Sequence, residues 1–183
     1  NYVNTNMFPY AKKLDSLINK GNPCAETIFY MTWGRKNGDA SNCPYLPTVC
    51  TYIGMDDAIR NRYEIMANQN QAIVSPVGAV WRYIRNNYPN IELYSSDESH
   101  PSLEGSYAAA CAFYTAIFRE DPENISYIPN INPTVAQQIR NATKEVIFNQ
   151  LQQWNIGKYD LISEFTYSEN NNNPLKIQFN ASY

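Results

Sequence analysis

The fold is decided by residues 72–84, which read Ala-Ile-Val-Ser-Pro-Val-Gly-Ala-Val-Trp-Arg-Tyr-Ile. The first three residues, Ala72–Val74, form a short apolar run that favours a buried strand. Pro76 suits the first turn of a helix, because a helix leaves the N–H groups of its first turn without partners. The helix that follows has one apolar, inward face, formed by Val77, Val80, Trp81 and Ile84. A strand that leads directly into an amphipathic helix is typical of βαβ units.

The same alternation of helices and strands continues on both sides of this stretch. Thr27–Trp33 is a continuous apolar run, as expected of a strand that is buried on both faces of a parallel sheet. The predicted elements are a helix at 7–20, strands at 27–33, 72–74 and 91–94, and helices at 56–69, from Pro76 and at 104–118, with Ser102 capping the last. This order predicts an α/β fold, a three-layer sandwich with a parallel sheet and helices on both faces.

The C-terminal part of the chain has a different pattern. Asn132–Pro133 is a cap followed by proline, and it predicts a helix that runs to about Trp154. Beyond Gly157, residues 165–167 and 175–179 alternate apolar and polar side chains around an Asn-rich loop, which predicts a β-hairpin. We therefore expect one domain over residues 1–156 and a linker with a short β segment over 157–183.

Charge and composition exclude several classes of partner. The net charge is -3 and the basic residues are scattered, so we expect no binding to nucleic acid or to an anionic membrane. No stretch approaches the length of a membrane span. The 15 Tyr outnumber the 7 Phe and 3 Trp, so much of the aromatic surface carries a polar hydroxyl. Such surfaces are typical of hydrated clefts and of faces that bind carbohydrate.

The four cysteines favour an oxidising compartment, and hence a secreted or cell-surface protein. Cys43 and Cys50 flank a short loop with two prolines and are predicted to form a small disulfide ring. A zinc site is disfavoured, because the chain has a single histidine to complete a ligand set. Cys111 stands among small residues and is expected to be buried, whereas the pairing of Cys24 stays open.

The single histidine stands in a loop at the predicted end of a strand. Open α/β sheets place their sites beyond the carboxyl ends of the strands, and the loops 34–51 and 95–103 occupy that position here. Asp97 precedes His100 by three residues, so its carboxylate can hold the imidazole in one tautomer. The alternative is that His100 is an ordinary surface histidine and Asp97 a turn residue.

The residues around this pair resemble a known family. Residues 93–102, Leu-Tyr-Ser-Ser-Asp-Glu-Ser-His-Pro-Ser, with Gly105–Ala109 behind them, resemble the last sequence block of the SGNH (GDSL-like) hydrolases. Residues 74–81 and 31–35 resemble a bacterial, largely uncharacterised branch, and the similarity extends over about residues 7–155. The resemblance implies a secreted serine esterase acting on acetyl or other esters, with carbohydrate as the expected carrier. It assigns Asp97 as orienter and His100 as general base and then general acid, with no metal or organic cofactor.

The sequence departs from that family in the nucleophile. An SGNH enzyme needs a serine in a Gly-Asp-Ser turn and a glycine and an asparagine as oxyanion donors. Gly38–Asp39–Ala40–Ser41 is superficially similar, but it lies inside a long loop at the wrong spacing. We therefore expect residue 1 to fall partway through the domain, with the nucleophile upstream and the N-terminal part of the same domain as partner. The alternative is a non-catalytic extracellular domain that binds carbohydrate or serves as a scaffold.

Three further residues lie at the end of the 27–33 strand and in the loop that follows it. Trp33 and Arg35 are candidates for substrate binding, by stacking on a sugar ring and by binding a carboxylate or hydroxyls. The alternative for both is structural: Trp33 covers the top of the core and Arg35 forms a local salt bridge. Asp39 is predicted to be solvated. The tail at 165–182 resembles the opening strands of a PKD-type β-sandwich.

Overall fold

A computed structural model describes residues 2–160 in full and the backbone of residues 164–170 and 173–182. Three short 3₁₀ helices occur in this part of the chain, at Pro47–Cys50, Pro122–Asn124 and Phe148–Trp154. The other elements, in chain order, are α1 (Tyr2–Asn6), α2 (Phe8–Gly21), β1 (Ile28–Tyr30), α3 (Tyr52–Gln69), β2 (Ile73–Ser75), α4 (Val77–Asn87), α5 (Leu103–Phe118), α6 (Pro133–Val146), β3 (Glu164–Asn170) and β4 (Asn173–Ser182).

The centre of the fold is a parallel pair of strands. β1 and β2 run in register, with Ile28 opposite Ile73 and Tyr30 opposite Ser75. β2 is buried throughout, and both α3 and α5 pack against it. Helices α4, α5 and α6 pack on one another, and the predicted inward face of α4 is buried. The parallel pairing and the surrounding helices confirm an α/β fold.

β1 differs from the strand that the sequence predicts. It spans three residues rather than seven, and it is half-buried, with Tyr30 38% exposed, so the expectation of burial on both faces is wrong. The strand ends early because the next backbone groups bind elsewhere. The Met31 carbonyl accepts a hydrogen bond from the N–H of Gly78 at the start of α4. A Cβ at Gly78 would lie 2.2 Å from the Thr32 carbonyl oxygen, so only glycine allows this approach.

The predicted strand at 91–94 is also wrong. Its residues are largely buried, which explains their apolar pattern, but the chain folds back on itself instead of pairing with β2. The Leu93 carbonyl accepts from the N–H of Ser102 (2.9 Å), and the N–H of Ser95 donates to the His100 carbonyl (2.8 Å). The backbone groups that a third strand would use are therefore satisfied within the loop.

The C-terminal half confirms one prediction and corrects another. The Asn132 side chain caps α6 as predicted, accepting from the N–H of Thr134 at 2.8 Å. The single helix predicted to reach Trp154 is wrong, because α6 ends at Val146 and a 3₁₀ helix follows. The Trp154 indole donates to the Val146 carbonyl (2.6 Å), which satisfies a group at the end of α6 and fixes the break.

The tail forms the predicted hairpin, since β3 and β4 pair antiparallel. Residues 171 and 172 of the predicted Asn-rich loop lie outside the described residues. The domain boundary after residue 156 and the likeness to a PKD-type module stay predictions.

Candidate active site

The loop between Tyr94 and Leu103 is held by the turn chemistry of one aspartate. The Oδ1 atom of Asp97 accepts hydrogen bonds from the backbone N–H of Ser99 (3.0 Å) and of His100 (2.9 Å). Short polar side chains favour such turns because they bind the backbone a few residues on. Glu98, between Asp97 and Ser99, has a left-handed backbone conformation with a φ of 60°. The sequence Asp-Glu-Ser-His thus closes a tight turn around its own first carboxylate.

The same carboxylate binds the imidazole through its second oxygen. The Nδ1 atom of His100 lies 2.5 Å from Oδ2 of Asp97, so the charged carboxylate favours the tautomer with the proton on Nδ1. The hydrogen bond from the imidazole, with those from the backbone N–H groups of His100 and Ser99, holds the pKa of Asp97 well below its usual range. The His100 side chain is 81% exposed, and its Nε2 atom binds no group of the described residues. This arrangement holds the imidazole at Nδ1 and leaves Nε2 open to solvent.

The nucleophile that the sequence resemblance requires is not among the contacts of His100 in the described part of the chain. Within residues 2–160 no hydroxyl or thiol is hydrogen-bonded to His100. Ser41, the serine of the Gly-Asp-Ala-Ser stretch, is exposed, and its backbone N–H donates to Asp39. The same residues contain no cluster of three or more His, Cys, Asp or Glu side chains that could hold a metal ion.

Trp33 contacts the loop between Tyr94 and Leu103, which we call the histidine loop. Its indole N–H donates to the carbonyl of Ser99 at 3.0 Å. One face of its ring stacks on Trp81, with centroids 3.9 Å apart and planes 10° from parallel. Trp81 in turn meets Tyr94 edge to face. These contacts favour the structural alternative for Trp33, and sugar stacking by its other face stays a prediction.

The other predicted residues lie in the loop before α3. Arg35 is half-exposed, and its Nη1 atom lies 3.8 Å from Oδ1 of Asp39. The prediction that Asp39 is solvated is wrong. It is 7% exposed. Its carboxylate accepts hydrogen bonds from the side-chain amide of Asn42 and from the backbone N–H groups of Asn42 and Ser41, which lower its pKa. Cys43 and Cys50 form the predicted disulfide within this loop. The other two cysteines are free, Cys24 exposed and Cys111 buried as expected.

Sequence reasoning missed the charged residues that support the two loops. Asp56 is 3% exposed, binds Arg82 through Oδ2 (2.6 Å), and accepts the N–H of Gly34 through Oδ1 (3.2 Å). Arg85 donates to the Tyr94 hydroxyl (2.9 Å), which donates to the Gly34 carbonyl (2.7 Å). Arg85 follows Trp81 by four residues and thus shares the inward face of α4, a spacing that could have revealed it.

No family model matches the sequence, and no curated protein does. The crystal structure of a DUF4886 family protein from Bacteroides uniformis is similar in fold, with a TM-score of 0.62 and 18% identity over 76% of this chain. The chain spans 56% of the length of that protein. This likeness shows the fold alone. Among the described residues no helix has the length and apolar character needed to cross a membrane.

Proposed function

We propose that this chain carries the base and the orienting carboxylate of an SGNH-type serine esterase. The observation that carries the proposal is the Asp97–His100 pair, in which the imidazole is held by Nδ1 and presents Nε2 to solvent. The loop position supports it, because Trp33 and Lys36, which follow the carboxyl end of β1, bind this loop. Ligands of open α/β folds bind beyond the carboxyl ends of the strands. An exposed, hydrogen-bonded imidazole of this kind is suited to proton transfer.

The proposed reaction is acyl transfer to a serine and then to water. His100 Nε2 accepts the proton of the serine hydroxyl as its oxygen attacks the ester carbonyl, and Asp97 stabilises the imidazolium. The imidazolium then protonates the departing alcohol, which leaves an acyl-serine. Water attacks this acyl group while His100 takes its proton, and the serine oxygen leaves with that proton restored. No step requires a metal or an organic cofactor.

We propose that the serine and the oxyanion donors come from a part of the domain outside these 183 residues. No hydroxyl is hydrogen-bonded to His100 within residues 2–160, which supports this, as does the unpaired second edge of β1 in the described part of the chain. Exposed apolar residues of α2, Leu14, Leu17 and Ile18, also suit a further packing layer. On this proposal the complete domain is a three-layer sandwich, with more strands beside β1.

The proposed substrate is an acetyl or other ester on an extracellular carbohydrate. The disulfide between Cys43 and Cys50 suits an exported protein. Arg35 is half-exposed in the loop beside the histidine, so its guanidinium is available for a carboxylate or sugar hydroxyls.

Ester hydrolysis by the protein with its upstream region tests the proposal. We expect hydrolysis of p-nitrophenyl acetate, with kcat/KM lower by a factor on the order of 10³ or more in His100→Ala. Ser96→Ala is the control, because Ser96 is exposed in the same loop and makes no side-chain hydrogen bond in the described structure. Equal rates for the protein and His100→Ala would overturn the proposal.

A second candidate function is a non-catalytic domain that binds carbohydrate or serves as a scaffold. It explains without any upstream serine why no hydroxyl is hydrogen-bonded to His100 in the described residues. Affinity electrophoresis in gels containing acetylated xylan separates the two candidates. Retardation without any ester hydrolysis would favour the binding domain, and hydrolysis that requires His100 would exclude it.

A further inference from the structure

The segment Trp33–Lys36, which follows β1, holds two carbonyl groups of the histidine loop. The backbone N–H of Lys36 donates to the Glu98 carbonyl at 2.9 Å. The indole N–H of Trp33 donates to the Ser99 carbonyl at 3.0 Å. These contacts join two loops that lie more than sixty residues apart in the chain.

The two carbonyls belong to the two peptide groups that bind Asp97. The Glu98–Ser99 peptide offers the N–H of Ser99 to Oδ1, and the Ser99–His100 peptide offers the N–H of His100 to the same atom. A peptide group is planar, so a bond that fixes the direction of its carbonyl also fixes the direction of its N–H. Hydrogen bonds at both ends of one peptide also polarise and strengthen each other.

We propose that Trp33 is a positioning residue for the Asp97–His100 pair, acting through the plane of the Ser99–His100 peptide. With both N–H groups aimed at Oδ1, the other carboxylate oxygen is left for the imidazole. This role rests on the proposed function for its catalytic meaning, but not for its geometry. In this role Trp33 acts on the histidine loop of its own chain through the indole N–H.

The surroundings of Trp33 suit such a role. Its ring is fixed against Trp81, which is fully buried, so the indole N–H has a defined direction. Gly105 lies under Trp81, and a Cβ there would lie 2.6 Å from that ring. The stack therefore rests on closely packed backbone, and it needs only an aromatic ring at position 33, whereas the hydrogen bond needs the indole N–H.

This difference allows the donor to be removed while the stack is kept. Two changes serve: Trp33→Phe, and replacement of Trp33 by 3-benzothienylalanine, which has the shape of tryptophan with sulfur in place of N–H. The second keeps the test valid if Trp33→Phe does not fold. Trp154→Phe is the matched control, because it also removes an indole N–H bonded to a carbonyl, that of Val146, in the C-terminal part of the chain.

The readouts are the Asp97 carboxyl pKa from ¹³C NMR and the His100 tautomer from ¹⁵N NMR, both in the protein with its upstream region. We expect both Trp33 changes to raise the pKa of Asp97 toward its ordinary value, and to raise the fraction of the Nε2–H tautomer roughly twofold. Trp154→Phe should leave both unchanged.

Unchanged readouts in the folded Trp33 variants would overturn the positioning role, as would equal changes in Trp154→Phe. These outcomes are distinct from failure of the proposed function. If the protein hydrolyses no ester and yet the Asp97 pKa and the His100 tautomer respond to Trp33, the esterase is excluded and the positioning role stands.

Discussion

Two aspartates near the carboxyl end of β1, Asp56 and Asp97, differ in burial and in the direction in which their pKa is shifted. Asp56 is 3% exposed and lies between Arg82 and the N–H of Gly34, and burial raises its pKa against the opposing effect of Arg82. The side chain of Asp97 is 48% exposed, and hydrogen bonds from His100 and Ser99 lower its pKa. Both carboxylates accept backbone N–H groups, so the difference comes from burial and from the partner.

The contrast separates a buried, fully paired aspartate from an exposed one whose imidazole partner keeps a nitrogen open to solvent. In a buried ion pair all charged groups are hydrogen-bonded to protein partners. Removal of one partner leaves the other charge buried, without a partner and without solvation by water. An exposed pair contributes little to stability, but its outer nitrogen remains available. Asp56 fixes the start of the loop that contains Trp33 and Arg35, whereas Asp97 fixes an imidazole. The following predictions, from the largest effect to the smallest, test this division.

Arg82→Met should cost the most stability, about 3 kcal/mol at pH 7, because it leaves the Asp56 carboxylate buried without its partner. A raised folded-state pKa means that the folded protein takes up the proton first as pH falls. The loss should therefore shrink as the pH is lowered through the raised pKa of Asp56. Urea unfolding at pH 7 and at about pH 5 measures this.

The control for that prediction is Arg60→Met. Arg60 pairs with Glu64 at 2.7 Å, with both side chains about a third exposed, and it lies 4.9 Å from the Trp154 ring centroid. We expect a loss of about 1 kcal/mol. Equal losses in Arg60→Met and Arg82→Met, or a loss in Arg82→Met that does not depend on pH, would contradict the assigned role of Asp56.

Gly105→Ala should cost about 2 kcal/mol, because the added Cβ would lie 2.2 Å from the Leu93 carbonyl oxygen and 2.6 Å from the Trp81 ring. This change disturbs the packing beneath the histidine loop, at Trp81 and Leu93, without altering Asp97 or His100. Thermal unfolding checks the effect. Gly21→Ala is the control, since nothing lies within 4 Å of a Cβ there. Equal stability of Gly105→Ala and Gly21→Ala would show that the residues beneath the histidine loop are not closely packed.

Asp97→Asn should have the smallest effect on stability, visible as a dependence on pH. A lowered folded-state pKa contributes stability above the unfolded value of about 3.9, and this is lost as pH falls through the folded pKa. Between about pH 4 and pH 2 the wild-type protein should therefore lose stability more steeply than Asp97→Asn. Parallel curves from urea unfolding across this range would show that the carboxylate is not specially stabilised.

The sequence predicts what depends on neighbouring residues. The caps at Ser102 and Asn132, the small disulfide ring and the parallel α/β order follow from local spacing, and the structure contains them. The prediction of a strand at 91–94 was wrong because the backbone groups of these residues bind within the loop. The prediction that Asp39 is solvated was wrong because its carboxylate accepts hydrogen bonds from Asn42 and from two backbone N–H groups. Neither partner set is visible in an apolar pattern.

The support of the site was unpredictable for a different reason. The Asp56–Arg82 pair spans 26 residues and the Trp33–Ser99 bond spans 66, so both depend on how β1, α3 and α4 meet. The short Asp-x-x-His pattern, by contrast, predicts a contact that one turn can make. The contact between Asp97 and His100 was therefore predictable from the sequence, and the long-range contacts that support their loop were not.

The most direct measurement is labelling of the full-length gene product by a fluorophosphonate that reacts with activated serines. The account predicts one labelled serine, located by mass spectrometry upstream of these residues, and loss of labelling in His100→Ala with the fold retained. Equal labelling of the protein and His100→Ala, or no labelling of either, would contradict a hydrolytic role for the Asp97–His100 pair.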